Sequence, residues 1–385
     1  MNFNHSEEQT MIKDGIARFV RDNYDFDTRR DIIASDEGIN RDYWSTFAEL
    51  GWLSIPFDEQ YGGFGGSVED TAIIAEELGK AIVVEPFVST VVVFGGLLSA
   101  STNEQVKEEV IPSIIEGACL GTFAFTEQQS RYELTDIKTS AKAKGDGYLI
   151  NGEKTVVQNA ASANKIIVSA RTSGDQFDRD GISLFIVDAD APGITVKSYK
   201  TMDGQSAATV VFNDVAVTES QLLSDAGTGM DVIDQAMPHI LLGLCAEALG
   251  IMEVLNTTTV EYTKTRKQFD LPISSFQVLQ HRMVDTFMAY EQSKSMLYRG
   301  LCEANEHASG NTNQAGLAKA VHALKAVFAR NGKLIAEEAI QIHGGIGMTD
   351  ELNVGHYVKR LMTLNVAFGD GDYHQGKYSQ LNYGG

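Results

Sequence analysis

One stretch of the chain reads Arg266-Lys267-Gln268-Phe269-Asp270-Leu271-Pro272-Ile273-Ser274-Ser275-Phe276-Gln277-Val278-Leu279-Gln280. It interrupts a series of long segments with helical apolar periodicity, which run from about Met230 to Thr265, from Phe276 to His307 and from Asn313 to Ile342. Each segment has roughly 30 residues, which is roughly 45 Å of helix at a rise of 1.5 Å per residue. Long helices joined by short links pack antiparallel, so the last third of the sequence predicts a four-helix bundle.

The middle third contains short β-branched runs instead of helical periods. Asn-Gly, Ser-Gly and Pro-Gly pairs, which favour turns, separate the runs Ile166–Val168, Ile182–Val187 and Thr209–Phe212. The segment Tyr148–Lys154 predicts a tight hairpin, because its Asn151-Gly152 pair tolerates the positive φ that such a turn needs. Strands at this spacing predict a small antiparallel barrel or sandwich.

The first third is helical in pattern. Apolar residues recur at a helical period in Glu7–Val20, and a helix through Trp44 should end at Gly51. Thr102–Gln105 has the pattern of a capping box before another helix. The glycine-rich Tyr61–Gly66 lacks the preceding strand and the closing lysine of a phosphate-binding loop, so it predicts a helix–helix connection.

The chain is therefore predicted to be mostly α with a central β domain. Three domains are expected: an N-terminal helical domain over residues 1–119, a middle β domain over 120–226 and a C-terminal helical bundle over 227–385. The sequence shows no internal repeat and no low-complexity tract.

Composition limits the partners and the compartment. The formal charge of −21 argues against nucleic-acid binding, which depends on Lys and Arg that neutralise phosphates. No apolar run reaches the roughly 20 residues of a membrane span, and residues 1–8 lack the basic start and apolar core of a secretory signal. The cysteines, Cys119, Cys245 and Cys302, are far apart in the sequence, as is typical of a reducing compartment. We expect a cytoplasmic protein with no metal site.

Two motifs resemble those of a known family. The stretch Arg266–Gln280 resembles the acyl-CoA dehydrogenase signature R-x-x-F-G-x-x-I-x-x-F-Q-x-x-Q, and Gln341–Met348 is similar to the family's Q-x-x-G-G-x-G element. Both lie at the family's spacing, and Tyr61-Gly62-Gly63 and Asn151–Lys154 resemble family positions too. The resemblance covers nearly the whole chain. It implies the acyl-CoA dehydrogenase fold and an oxidoreductase that dehydrogenates an acyl-CoA thioester.

The resemblance implies FAD as the cofactor and assigns its adenosine half to these two motifs. Arg266 is a permanently charged, fork-shaped donor suited to the pyrophosphate, and Gly344 and Gly345 let the backbone approach a ligand closely. Taken alone, Arg266 would be read as half of a surface ion pair, and the glycines fit a helix C-cap as well. In the family the flavin of this FAD sits on the neighbouring subunit, which implies an oligomer. The cofactor-binding residues expected here are Arg266, Gln268, Phe269, Phe276, Gln277, Gln341, Gly344 and Gly345.

The flavin ring is implied to rest on the β domain. Phe123–Glu127 resembles the start of the family motif A-x-T-E-P-x-A-G-S-D, so Thr126 is an expected flavin contact. Gln158 lies where the family carries a small hydroxyl beside the flavin, and it is a further expected contact. The residues that replace the motif's proline, glycine and serine are Gln128, Arg131 and Tyr132. The last two are large and would crowd the cofactor and the thioester end of the substrate.

The catalytic base is missing from both positions where the family carries it. Most members have a glutamate in a Y-E-G-T context, and ungapped counting brings that position to Phe368. A minority have it on the first bundle helix, where counting brings the position to Ile240. Asp370 and Glu247 are the candidates for a relocated base. Glu247 would lie about 10 Å along the helix from the family position, and a buried polar contact is its alternative interpretation.

These departures resemble the small subunits of bacterial two-subunit acyl-CoA dehydrogenases, of the pimeloyl-CoA dehydrogenase small-subunit type. The first hypothesis is an FAD-dependent acyl-CoA dehydrogenase subunit that lacks the base and works in a hetero-oligomer. The second is a self-sufficient homo-oligomer with Glu247 or Asp370 as the base, and the third is a non-catalytic structural homologue. The implied partners are an acyl-CoA substrate, a second acyl-CoA dehydrogenase subunit or another copy of the chain in a dimer or tetramer, and an electron-transfer flavoprotein as electron acceptor.

Overall fold

The computed structural model describes residues 5–383, and the order helical, β, helical confirms the predicted fold class. The expectation of no secretory signal rests partly on residues 1–4, which lie outside the described residues. The α-helices are α1 (Glu7–Asn23), α2 (Phe26–Ala34), α3 (Arg41–Glu49), α4 (Val68–Gly79), α5 (Gly95–Ser99), α6 (Glu104–Ile115), α7 (Gly229–Thr265), α8 (Gln277–Ala308), α9 (Gln314–His343), α10 (Val354–Val366) and α11 (Gly371–Tyr383). The strands are β1 (Gly121–Ala124), β2 (Ser140–Lys144), β3 (Gly147–Gln158), β4 (Lys165–Arg171), β5 (Ile182–Asp188), β6 (Ile194–Lys200), β7 (Ser206–Thr218), β8 (Lys267–Gln268) and β9 (Leu271–Pro272).

The chain folds into two compact units. The first contains the chain up to Arg30, Val68–Val83 and the chain from Leu241 onward. The second contains Asp31–Ser67 and Val84–Ile240. The three-domain division of the sequence, with boundaries after residues 119 and 226, stays a prediction.

Long helices make up most of the first unit, and α7, α8 and α9 begin and end within one residue of their predicted bounds. α9 begins where the Asn313 side chain accepts the Gly316 N–H, and it ends at Gly344. A buried polar contact sets α8 against α9, because Asn331 Nδ2 donates to Ala289 O at 3.0 Å and to Ser293 Oγ at 3.1 Å. A donor buried in this way has its partners in one helix register only, so the contact specifies the pairing of the two helices.

Contrary to the expectation that no segment is long and apolar enough for a membrane span, α7 passes that test, with a mean hydropathy of 1.6 in its most apolar window. In the folded chain 78% of that window is buried inside the protein. A helix that is apolar on all sides is typical of the centre of a soluble bundle as well as of a membrane span. The burial identifies α7 as a core helix.

Seven strands of the second unit form one sheet in the order β1-β4-β2-β3-β7-β6, with β5 paired to β4. The pairs β2–β3, β3–β7, β6–β7 and β4–β5 are antiparallel, as predicted. β1 is parallel to β4, and β2 meets β4 in parallel at Ser140 and Arg171. The parallel pairs arise because β1 and β4 are joined by a long crossover that includes two other strands, whereas a tight turn can join only antiparallel strands.

The predicted hairpin turn at Asn151-Gly152 is wrong, because β3 continues through it and the turn lies at Gly145-Asp146. Gly152 instead marks an irregularity in the β3–β7 pairing, with φ at 154°, and a Cβ there would overlap Thr139 Oγ1. The Asn151 amide exchanges two 2.9 Å hydrogen bonds with Asp214, donating to its Oδ1 and accepting its backbone N–H. The Asn-Gly pair therefore builds a bulge with a close backbone approach, which glycine allows as readily as it allows a turn.

Two smaller predictions in the first third differ in outcome. The capping box at Thr102–Gln105 is misplaced, because Asn103 caps α6 and its side chain accepts the Val106 N–H at 3.3 Å. The Tyr61–Gly66 loop does connect helical segments, since it joins a short helical turn at Glu59–Tyr61 to α4.

Candidate active site

Arg266 follows the last turn of α7 and is held by its backbone at both ends. Its N–H donates to Tyr262 O at 2.9 Å, and its carbonyl accepts the Ile273 N–H at 2.8 Å. Its side chain is exposed, and within residues 5–383 the guanidinium makes no hydrogen bond or ion pair. The surface ion pair that would explain an isolated arginine is therefore not formed in this part of the chain. A fixed backbone with a guanidinium presented to solvent suits an anionic ligand.

A two-residue hairpin between β8 and β9 follows Arg266. Its central residues, Phe269 and Asp270, have φ of 54° and 64°, which is the left-handed pair that such a turn requires. The Phe269 side chain is 87% exposed and meets the Phe276 ring edge-on at a centroid distance of 6.2 Å. Gln268 and Gln277, which the resemblance also assigns to the cofactor, are exposed on the same segment. The hairpin thus presents the predicted residues of this motif together.

The second motif forms the end of α9. Gly344 is the C-cap, with φ 67° and ψ −145°, and its N–H donates to Ile340 O, so the C-cap interpretation is correct. A Cβ on Gly344 or Gly345 would meet nothing within 4 Å among the described residues beyond its immediate neighbours. The side of this turn is open, as a close approach of FAD to the backbone would require. Gln341 is exposed one turn earlier.

Tyr262 connects the two motifs, and sequence reasoning missed it. Its hydroxyl donates to His343 O at 3.2 Å, and its ring stacks on the His343 ring at 4.3 Å. His343 Nδ1 donates to Ala339 O at 2.8 Å, as expected of a helix-end histidine, and burial lowers the pKa of its imidazole. The signal for Tyr262 is its place four residues before Arg266, on the face of α7 that presents the arginine.

Large apolar side chains are exposed around these motifs. They include Val284, Phe287 and Met288, whose i, i+3, i+4 spacing puts them on one face of α8. Others on the same unit are Leu271, Val278, Leu334, Ile346 and Met348. A row of exposed apolar side chains on one helix face, like that on α8, is typical of a protein interface.

The structure places Thr126 and Gln158 on neighbouring segments of the second unit. Thr126 O accepts the Thr155 N–H at 2.8 Å, and Gln158 O accepts the Thr122 hydroxyl at 2.6 Å. Val156, which lies between Thr155 and Gln158 in β3, has a φ of 54°, which is rare for a β-branched residue. Strained backbone of this kind occurs at functional sites, and it lies where the resemblance expects the flavin.

A buried ion pair anchors the loop that follows Thr126. Glu127 and Lys154 are both buried, with Lys154 Nζ 2.8 Å from Glu127 Oε1. The Glu127 carboxylate also accepts the backbone N–H groups of Lys138 at 2.8 Å and Thr139 at 3.0 Å. Burial lowers the pKa of Lys154 and would raise that of Glu127, but the ammonium and the other donors lower the pKa of Glu127 overall. One carboxylate thus ties both ends of the 127–139 loop together.

Glu247, a candidate base, is a buried ion-pair partner in the structure. Arg360 Nε donates to its Oε1 at 2.6 Å and Arg360 Nη2 to its Oε2 at 2.9 Å. Its side chain is 5% exposed and that of Arg360 is 6% exposed. Both oxygens therefore bind one guanidinium, which matches the alternative interpretation of a buried polar contact.

Asp370, the other candidate, begins α11. Its Oδ1 accepts the Tyr373 N–H at 2.9 Å, as a helix N-cap does. Phe368, where ungapped counting brings the family's base position, has a left-handed backbone with φ 56°. The buried Lys325 holds this loop to α10, since its Nζ donates to Leu364 O at 2.7 Å and to the loop carbonyl of Gly369 at 3.3 Å. Ile240, the alternative base position, is buried and apolar.

Comparison with known proteins agrees with this geometry. Three family models match the chain in sequence order: the acyl-CoA dehydrogenase N-terminal domain over residues 6–118, the middle domain over 122–215 and the C-terminal domain over 227–377. YngJ of Bacillus subtilis, a probable acyl-CoA dehydrogenase, is 30% identical over 96% of this chain and 96% of its own length. The chain belongs to the acyl-CoA dehydrogenase family.

Solved structures of similar proteins extend the family match. The structure of PigA with FAD and proline is 26% identical, with a TM-score of 0.90 over 100% of both chains. Butyryl-CoA dehydrogenase of Megasphaera elsdenii is 26% identical, with a TM-score of 0.87 over 98% of this chain and 99% of its own. As an acyl-CoA dehydrogenase, the chain is a flavoprotein oxidoreductase that acts on acyl-CoA, with FAD as its cofactor. Arg266, Gly344 and Gly345 fit that cofactor, and their individual roles stay predictions.

The buried His374 and the half-buried His322 make the stability of this acyl-CoA dehydrogenase sensitive to acid. His322 Nδ1 lies 2.8 Å from His374 Nδ1, and burial lowers the pKa of both rings, helped by the charges of Lys377 and Lys325 respectively. Unfolded histidines take up protons near pH 6.5 and these folded ones do not, so the free energy of unfolding falls as the pH drops below about 6.5. We expect a loss of roughly 2 kcal/mol per histidine between pH 7.5 and pH 5 in urea unfolding.

The control for this pH dependence is His322→Gln/His374→Gln, which keeps polar side chains and removes both protonation sites. The remaining histidines and the carboxylates still titrate, so the slope of stability against pH should become shallower without vanishing. An unchanged slope would show that the pair does not carry the acid sensitivity.

Proposed function

We propose that this chain is the base-lacking subunit of a hetero-oligomeric acyl-CoA dehydrogenase. It supplies the adenosine half of an FAD site, and a second acyl-CoA dehydrogenase subunit supplies the carboxylate base. The proposal rests on what occupies the positions considered for the base. Phe368 has no carboxylate, Glu247 is paired with Arg360, and Asp370 caps α11.

The chemistry explains why these contacts matter. Dehydrogenation of an acyl thioester removes a weakly acidic α proton, and bound FAD accepts the β hydrogen as hydride. The base must reach the α carbon and must be able to take up a proton. Both Glu247 oxygens already accept hydrogen bonds from the buried Arg360 guanidinium, so Glu247 would have to break this pair before it could act on a substrate. Glu247 is therefore a structural residue in this proposal.

Asp370 supports a second candidate function, that of a self-sufficient homo-oligomeric dehydrogenase. It is half-buried two residues after the family's base position, and its charge acts on the nearby Lys325 ammonium. Against this function, the Asp370 carboxylate accepts the Tyr373 N–H at the start of α11. Moving it toward a substrate would uncap the helix, at a cost of about 1 kcal/mol.

The exposed apolar side chains of the first unit support an obligate partner. A second subunit that covers Phe269, Phe287 and Met288 would bury this surface and bring a flavin-binding segment to the adenosine half-site. We infer a partner of the same family, with the pimeloyl-CoA dehydrogenase small-subunit type as the working subtype. An electron-transfer flavoprotein is the electron acceptor in this proposal, and the cytoplasm is the location.

The test measures bound FAD and its reduction in the chain purified alone and in any complex that co-purifies from the source cell. We expect the chain alone to hold less than one FAD per chain and to show no anaerobic bleaching with an acyl-CoA. We expect the complex with a second subunit to bleach. Full FAD content and rapid bleaching of the chain alone would overturn the proposal. In that case loss of bleaching in Asp370→Asn would establish the homo-oligomeric alternative, and Asp285→Asn is the matched control on the exposed face of α8.

A further inference from the structure

A strained turn occupies the altered part of the flavin motif. The Glu133 N–H donates to Ser130 O at 2.8 Å, which makes Ser130–Glu133 a tight turn, and its first central residue, Arg131, has a φ of 46°. This left-handed conformation favours glycine, because a Cβ strains it. The family motif has glycine at this position. The chain therefore keeps a backbone that suits glycine and adds the arginine against the conformational preference of the turn.

Hydrogen bonds from Ser130 and Gln129 to Glu127 fix the position of the turn. The Glu127 N–H donates to Ser130 Oγ at 2.9 Å, and Ser130 N–H donates back to Glu127 O at 3.1 Å. Gln129 Nε2 donates to the Glu127 carboxylate at 2.9 Å, and that carboxylate is paired with the fully buried Lys154. The anchor under the turn is thus intact, although the residues of the turn have changed.

The two large side chains of the turn support each other. The Arg131 guanidinium lies over the Tyr132 ring at 5.3 Å from its centroid, in a cation–π contact. Arg131 is exposed and Tyr132 is half-buried. An arginine stacked on a tyrosine is bulkier and less mobile than either side chain alone. Glycine and serine at these positions would remove both large side chains.

We propose that Arg131 and Tyr132 close this chain's own flavin half-site, the segment around Thr126 and Gln158. The chain then shares FAD only through its Arg266 half-site, and each FAD ring rests on the partner. This inference rests on the proposed function. It names the residues that would limit the chain to one of its two FAD half-sites. It also explains the strained arginine, because strain is retained where the side chain has a role.

The test restores the small residues. In the oligomer as purified, Arg131→Gly/Tyr132→Ser should bind one additional FAD for each copy of this chain, measured by flavin absorbance after equilibrium dialysis. The Kd for that FAD should fall by about tenfold or more relative to the unaltered chain. Arg131→Gly alone should give part of the gain. The matched control, Arg131→Lys/Tyr132→Phe, keeps the bulk and should leave FAD content unchanged.

The outcomes separate this inference from the proposed function. An unchanged FAD content in both opened variants, with far-UV circular dichroism like that of the unaltered chain, would overturn the closure. FAD binding that still depends on Arg266 would leave the proposed function standing in that case. If the unaltered oligomer already holds one FAD per chain, the closure is wrong. A gain in the lysine–phenylalanine control equal to that of the glycine–serine variant would also overturn it.

Discussion

Arg360→Met will lower the free energy of unfolding by about 3 to 5 kcal/mol, because it leaves Glu247 as a buried charge without its partner. Both Glu247 oxygens accept hydrogen bonds from Arg360, at 2.6 and 2.9 Å, and water reaches neither side chain to an appreciable extent. The replacement is apolar and somewhat smaller, so the loss comes mainly from the carboxylate. Urea unfolding followed by circular dichroism measures it.

Two controls identify the source of that loss. Arg21→Met breaks the exposed pair with Asp22, whose side chains are 69% and 52% exposed, and should cost less than about 1 kcal/mol. The double variant Glu247→Leu/Arg360→Met removes both buried charges and should recover most of the stability. A loss in Arg360→Met no greater than that in Arg21→Met would contradict the structural role of Glu247 and would revive it as a base.

The sequence was sufficient for features whose cause is local. The long helices follow from apolar periodicity, and α7, α8 and α9 lie within one residue of their predicted bounds. The predicted adenosine half-site rests on two short motifs, and the structure presents Arg266 without a partner among residues 5–383. Such features need little information from distant parts of the chain.

The features that the sequence did not predict depend on distant contacts. Gly152 builds a bulge where Thr139, the residue before β2, passes against it, whereas the Asn-Gly pair alone indicates a turn. Glu247 pairs with Arg360, 113 residues along the chain, and no spacing rule joins them. The parallel β1–β4 pairing likewise depends on how the chain crosses the sheet. The bulge, the ion pair and the parallel pairing all depend on the three-dimensional fold, so local sequence patterns do not predict them.

The two predicted cofactor half-sites differ in how far they keep the family's residues. The predicted adenosine half-site has Arg266 and the open Gly344-Gly345 turn, whereas the predicted flavin segment has Arg131 and Tyr132, and Phe368 stands where ungapped counting brings the base. Under the proposed function, loss of the base and closure of the flavin segment would each prevent dehydrogenation at this chain's own flavin half-site. The contribution of such a chain to its complex would then be the FAD contact made by Arg266.

Arg266→Gln will raise the Kd for FAD by about 10- to 100-fold, the range expected when one charge-assisted contact worth about 1.5–3 kcal/mol is lost. The guanidinium is exposed and has no partner within residues 5–383, so the substitution removes no contact of the described fold. The free energy of unfolding without FAD should therefore change by less than about 0.5 kcal/mol. Flavin fluorescence titration of the oligomer measures the Kd.

Variants at positions 266 and 267 distinguish a specific contact of Arg266 with FAD from a general attraction of FAD to positive charge. Lys267→Gln removes the adjacent exposed charge and should change the Kd by less than about threefold, since the screened charge makes no directed contact. Arg266→Lys keeps the charge but loses the fork that suits a pyrophosphate, so its affinity should be intermediate. Equal weakening by Lys267→Gln and Arg266→Gln would mean that the surface attracts FAD only by its charge, and the assignment of Arg266 to the cofactor would then fail.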